Sequence, residues 1–389
     1  MKYDFHSIPD RSNSGSAKWR PVPGASPELV PLSVADMEFP TAPAIVDALK
    51  HLLDTAILGY TKATPAYFEA VCGWMERHHQ FHVDPEQIVL TPGVVQGLGC
   101  LIDTVTKPNE QVVIMNPVYY PFDRVILEHD RQIAYCPLKL EGIDYSIDFD
   151  LFERLAAQKE VTALLFCNPH NPIGRVWTRA ELEHLVEICH KNGLFIISDE
   201  IHNDLIMPGY THTVTATVSQ IASEICAVCT APSKTFNLAG VQCSNIIVPH
   251  QYAEAVRARA KQLYGMLNIF AYTACTTAYN QCEDWMEELL QVVYENGLYV
   301  QNFIKEHIPE ITVIPPQGTY LQWWDCRGLG LSTQEQEQFM HDAGLWLDEG
   351  YIFGQGGEGF ARINLACSRI TLERTMQRLL DAVIKLRNR

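Results

Sequence analysis

The sequence predicts an α/β protein, with a large domain built on a mostly parallel central sheet covered by helices and a smaller α+β domain beside it. Three observations carry this expectation. From about residue 45 to 280, short apolar runs alternate with longer periodic segments, as they do when parallel strands are joined by crossover helices. Turn residues follow each run. The chain is 389 residues long and 47% hydrophobic, enough to bury large cores in two or three domains.

The strand candidates, in order, are QIVLT (87–91), QVVIM (111–115), TALLFC (162–167), GLFIIS (193–198) and EICAVCT (224–230). Residues 45–280 are therefore assigned to the large domain, and 1–44 with 281–389 to the small one. In the latter, residues 372–386 have the apolar spacing of an amphipathic helix. In an open sheet of this kind, ligands bind in the crevice at the carboxyl ends of the strands.

Composition excludes several function classes. The apolar runs are far shorter than the ~18 residues that span a bilayer, so no membrane association is expected. The polar N-terminus, MKYDFHSIPDRSN, lacks the apolar centre of a secretory signal, which points to a cytoplasmic protein. A formal charge of −17 argues against nucleic acid or an anionic membrane as partner. The twelve cysteines lie mostly in apolar segments, where the reduced thiol acts as a small hydrophobe. Cys226 and Cys229 form a C-x-x-C, but in a strand they face opposite ways and no partner pair exists, so no metal is expected.

Three strands run into polar residues that are costly to place beside a core. TALLFC leads to Asn168-Pro-His-Asn171-Pro, GLFIIS to Asp199-Glu-Ile-His202, and AVCTAP to Ser233-Lys234. Singly, such residues are ordinary turns, caps or surface groups. As an ordered set they bring an amide, a carboxylate and an amine to one sheet edge. A desolvated lysine is a nucleophile toward an aldehyde, the Schiff-base chemistry of pyridoxal 5′-phosphate (PLP) enzymes. A carboxylate facing the cofactor's ring nitrogen would keep it protonated, and an amide can donate to the ring's phenolate oxygen.

An anion cradle is offered by LTPGVVQGLGC, where Gly93 opens a helical pattern whose first amides, at Val94 and Val95, can point at a phosphate. Ser233 can add a hydroxyl. Tyr119, in NPVYY, is placed to stack on the cofactor ring, and Arg362, in GFARINLA, has the planar fork that suits a substrate carboxylate. GQGGEG matches the letter of a dinucleotide fingerprint, but a strand-like rather than helical run follows it.

Taken together, these residues resemble a fold-type I PLP enzyme of the class I/II aminotransferase superfamily, and within it the MalY/PatB-type carbon–sulfur lyases. The resemblance covers essentially the whole chain: the KYDF…DR…S-x-KW start, VADMEFP (34–40), GYT (59–61), NPHNPIGRVW, SDEIHNDL, APSKTFNLAG, GTYLQWWDCRGLGLS and FGQGGEGFARINLACSR. It implies that Lys234 carries the Schiff base, Asp199 meets the ring nitrogen, Asn171 meets the phenolate oxygen and the substrate, Tyr119 stacks and Arg362 holds the substrate carboxylate. It further implies that Tyr60 reaches the cofactor phosphate of a neighbouring subunit in a homodimer. Two positions depart from the transaminase pattern: His202 stands where a tyrosine is usual near the cofactor, and Gln242 where a phosphate-binding arginine is usual.

The implied reaction is β-elimination. Substrate amine displaces Lys234, which then removes the Cα proton, and a thiolate leaves from Cβ, so that cystathionine or another cysteine S-conjugate yields a thiol, pyruvate and ammonia. Transamination shares the first half and is the alternative. A regulatory or binding protein on the same fold is the alternative from another class, disfavoured by the presence of the lysine, aspartate and arginine together.

Overall fold

The computed structural model describes residues 1–20, 29–55 and 57–388. Seven strands form the central sheet: β1 (Ile88–Thr91), β2 (Gln111–Ile114), β3 (Gln132–Tyr135), β4 (Val161–Cys167), β5 (Phe195–Asp199), β6 (Cys226–Thr230) and β7 (Ser244–Ile247). Their spatial order is β1-β7-β6-β5-β4-β2-β3. Six share one direction, and β7 is antiparallel to both of its neighbours.

Strands β5 and β6 are buried at every residue, as parallel strands covered on both faces should be. Alternate side chains feed two separate cores: Leu164, Phe166 and Ile196 on one face, Leu165, Ile197 and Ala227 on the other. Cys226 and Cys229 fall into different cores, as their spacing requires. Helix α1 (Val94–Val105) covers one face through Leu98, Leu101 and Ile102. Helix α2 (Arg179–Asn192) covers the other through Leu182, Leu185 and Cys189. Thr178 and Glu181 cap the start of α2 reciprocally, and Gly193 ends it at φ 73°, a left-handed turn that favours glycine.

A second sheet is wholly antiparallel: β8 (Thr312–Ile314), β9 (Leu321–Asp325), β10 (Asp348–Glu349) and β11 (Phe360–Asn364), in the order β8-β9-β11-β10. Helices α3 (Glu283–His307) and α4 (Arg369–Arg387) share its core through Val300, Ile304, Leu372 and Met376. The N-terminal segment joins this unit, because Val30–Pro31 pairs in parallel with Leu345–Trp346. No helix among the described residues is long and apolar enough to cross a membrane.

Residues 34–39 form a strap between the two sheets. Asn364, buried at the end of β11, donates its side-chain amide to the carbonyls of Val34 (2.8 Å) and Asp36 (2.7 Å). From the large-sheet side, Asn237 accepts the Met37 N–H at 2.9 Å and donates to the carbonyls of Met37 (3.1 Å) and Phe39 (3.2 Å). Asn364→Leu should therefore lower stability by about 2–4 kcal/mol, since two carbonyls lose their donor. A fall in the urea midpoint at unchanged m-value is the expected result.

Candidate active site

Strands β4, β5 and β6 are adjacent and parallel, so their carboxyl ends open on one side of the sheet. A cavity of about 170 Å³ lies there, lined by Gly93, Val94, Val95, Tyr119, Asn171, Asp199, His202, Ser233 and Lys234, all expected from the sequence. Ala35, Cys167, Ile201 and Cys243 complete part of its wall. Arg362 reaches it indirectly, through Asn171. Tyr60 does not line it and is fully exposed.

Asp199 closes β5 and is buried, and its carboxylate takes one hydrogen bond, from the Ile201 N–H at 3.2 Å. Burial pushes its pKa up to about 7, with Lys234 pulling the other way. Such a carboxyl is primed to face an N–H or a cation. Lys234 sits on the single helical turn Pro232–Thr235 after β6 and donates to the Ala35 carbonyl at 2.7 Å. Burial, reinforced by the Arg362 cation, pushes its pKa down to about 8 against the pull of Asp36 and Asp199. The amine is thus far closer to its neutral, nucleophilic form at pH 7 than an exposed lysine is.

His202 is buried and held neutral, its pKa well below the usual histidine value because burial and the nearby Lys234 and Arg362 disfavour a further positive charge. Its Nδ1 has no protein partner among the described residues. Burial raises the pKa of the Tyr119 phenol, which stays protonated at neutral pH. Asn171 is buried, and its Oδ1 accepts from Arg362 Nη1 at 2.8 Å. Arg362, on β11, also donates to Asp348 and to the Ser33 carbonyl (3.3 Å), and lies over the Phe353 ring at 4.9 Å.

The phosphate cradle is a helix start without a side-chain cap. Gly93 is extended and, among the described residues, gives the start of α1 no side-chain cap. Lys234 is the only lysine or arginine among the described lining residues, and Gln242 is exposed. An anion bound here would rest on backbone amides and the Ser233 hydroxyl.

Several supporting residues were not assigned a role from sequence. Tyr320 donates to the same Ala35 carbonyl at 2.8 Å. Lys18, wholly buried, donates to the Asp36 carbonyl at 2.9 Å and lies 3.3 Å from the Glu38 carboxylate. Arg11 pairs with Asp36 and Glu38, each at 2.9 Å. Beneath Lys234, Asp204 accepts from Thr235 (2.6 Å), His79 (2.7 Å) and Trp74 (3.0 Å), which fixes the lysine-bearing turn. The motifs DR, S-x-KW, VADMEFP, SDEIHNDL, APSKTFNLAG and GTYLQWWDCRGLGLS contain all of these residues except Trp74 and His79, but only the folded chain brings them together.

The family model described as aminotransferase class I and II matches residues 27–379. The chain belongs to this family. It is 38% identical to cystathionine beta-lyase PatB of Bacillus subtilis over 98% of this chain and all of that one. Among solved structures, cystalysin of Treponema denticola, which contains a PLP cofactor, superposes with a TM-score of 0.96 at 41% identity, covering 99% of this chain and 100% of that one. A PLP-bound C–S lyase from Staphylococcus hominis does so at 0.92 and 28% identity, with 99% of each chain covered. The fold is that of the fold-type I PLP enzymes.

The cavity meets the requirements of that cofactor independently of these relatives. A buried carboxyl without a cationic hydrogen-bond partner suits a ring N–H, the uncapped helix start suits a phosphate, and the depressed lysine suits an aldehyde. The last point has a pH signature. Lysine titrating near 8 rather than 10.5 makes cofactor-free protein capture added PLP faster as pH rises from 6, levelling above about 8. Stopped-flow absorbance should show this profile; a rate still climbing steeply at pH 10 would mean that Lys234 is not depressed.

Proposed function

We infer that the chain is a PLP-dependent carbon–sulfur β-lyase acting on sulfur amino acids of the cystathionine and cysteine S-conjugate type. The observation that carries this is the convergence of Lys234, Asp199 and the Asn171–Arg362 pair on one cavity in a chain with full-length relatives named cystathionine beta-lyase and C–S lyase. When bound, the cofactor supplies an electron sink for the charge left at Cα.

The protein's own groups do the rest. Asp199 would hold a proton on the ring nitrogen, and the Asn171 amide would donate to the phenolate oxygen, while its carbonyl oxygen keeps Arg362 in place. Tyr119 would cover the ring, and the Val94 and Val95 amides with Ser233 would hold the phosphate. Arg362 takes the substrate carboxylate. His202, neutral and standing where a tyrosine is usual, would offer a ring nitrogen to the cofactor. Lys234, an amine already near neutrality, would take the proton from the substrate's Cα. A thiolate then leaves from Cβ, and water completes the products to pyruvate and ammonia. We assign the cofactor-holding roles to residues 45–280 as the cofactor-binding domain, with 1–44 and 281–389, which carry Arg362, as the small domain, in an enzyme of the cytoplasm, where twelve free thiols stay reduced.

With purified protein and cystathionine, pyruvate and thiol should form in equal amounts over many turnovers without any keto acid. Stalling after one turnover until 2-oxoglutarate is added would replace the lyase by an aminotransferase.

The working unit is a homodimer in which Tyr60 reaches the partner's cofactor phosphate. Its support is exposure together with a missing cation: Ile57, Leu58 and Tyr60 are 74%, 58% and 100% exposed, and no arginine among the described residues lines the phosphate cradle. Tyr60→Phe removes one hydrogen bond to a charged group, so the cofactor's Kd should rise about 10–100-fold. Equilibrium dialysis gives that number and sedimentation equilibrium the mass; a monomer, or an unchanged Kd, would overturn the assignment.

A further inference from the structure

Arg362 does not face its ligand as a free cation. The guanidinium has five N–H groups. One goes to Asn171, one to the Ser33 carbonyl and one to the carboxylate of Asp348, while Nε has no protein acceptor among the described residues. The register makes the Asp348 contact structural rather than incidental. Asp348 and Arg362 are directly opposite on the antiparallel strands β10 and β11, so their side chains lie on the same face, while Glu349 turns to the other. Arg362 is 2% exposed and Asp348 17%, so water screens the pair poorly.

We propose that Asp348 is a resident counter-anion that sets the affinity of Arg362 for carboxylates, weakening both substrate and product binding. This rests on the reading of Arg362 as the carboxylate-binding residue. The sign follows from what else holds the arginine. Asn171 at 2.8 Å, the Ser33 carbonyl and the Phe353 ring at 4.9 Å fix the guanidinium plane without Asp348. Removing Asp348 therefore leaves the arginine in place and takes away a negative charge that an incoming carboxylate must sit beside. The device has a kinetic use. Pyruvate, the product, carries the same carboxylate as the substrate, and an arginine already balanced by Asp348 lets it go.

The test uses the holoenzyme and a plain monocarboxylate, 3,3,3-trifluoropropionate, with binding followed by fluorine NMR. Asp348→Asn should bind the probe about tenfold more tightly, in line with the loss of one poorly screened like charge. Pyruvate inhibition should strengthen, and the substrate KM fall, by a similar factor. Asp348→Ser removes the same charge with a smaller side chain and should shift all three in the same direction, so the question stays answerable if the asparagine variant folds poorly. Asp348→Glu should keep wild-type affinity. Equal or weaker probe binding in both neutral variants would overturn the proposal and make Asp348 a support for the arginine. Arg362→Gln distinguishes the two levels. If it abolishes probe binding while the Asp348 variants change nothing, only the present proposal falls; if it leaves probe binding intact, the role of Arg362 itself is wrong.

Discussion

A single backbone carbonyl, that of Ala35, accepts hydrogen bonds from Lys234 on the large sheet's edge and from Tyr320 beside the small sheet. It belongs to the strap that Asn364 and Asn237 tie down from the two sides. The position of the amine is thus a consequence of how the N-terminal segment is held. A loose strap would leave a buried amine without an acceptor, a penalty large enough to rearrange the site. This accounts for the cost put into the strap's own anchoring. Lys18 is fully buried to bind its backbone, and the Asp36 and Glu38 carboxylates are balanced by Lys18 and Arg11.

The electrostatics of the cavity follow from the same arrangement. Burial raises Asp199 toward 7 and lowers Lys234 toward 8, so two groups that would be fully charged in water titrate near neutrality. Each has the environment its chemistry requires: a carboxyl that gains most from a proton-bearing ring nitrogen, and an amine that deprotonates readily. His202, neutral and lacking a partner at Nδ1 among the described residues, adds a polar group without adding charge. The cations at the far end are treated differently. Arg362 is shared among Asn171, Ser33 and Asp348, so orientation is retained while its net attraction is moderated.

Much of this was legible in the chain. Five of the seven central strands announced themselves as short apolar runs, because strands buried on both faces need nearly continuous hydrophobic sequence. Strands β3 and β7 were not recognised. Gln132–Tyr135 is exposed at both ends on the sheet's edge, and Ser244–Ile247, although buried, opens on the polar Ser244 and Asn245, which break the apolar run. The antiparallel direction of β7 is a property of the chain's path, which local pattern does not encode. Likewise, the polar residues after β4, β5 and β6 pointed to chemistry because a core excludes unpaired amides, carboxylates and amines. Ala35, Tyr320, Asp204 and Asp348 carried no such mark. A carbonyl is present at every residue, and an aspartate opposite an arginine is visible only once two strands are in register.

The sequence by itself determined the α/β class, the sheet edge that carries the site, and the residue types gathered there, since hydrophobic periodicity and misplaced polar groups are local quantities. It also sufficed to identify the family, through motifs spread over the whole chain. Only the tertiary structure decided which carbonyl receives the lysine, how far Asp199 and Lys234 are displaced in pKa, and that Arg362 is already paired. Those outcomes depend on burial and on distances of a few ångströms between residues such as Ser33, Asn171 and Arg362, far apart along the chain. Such quantities come into existence when the segments pack.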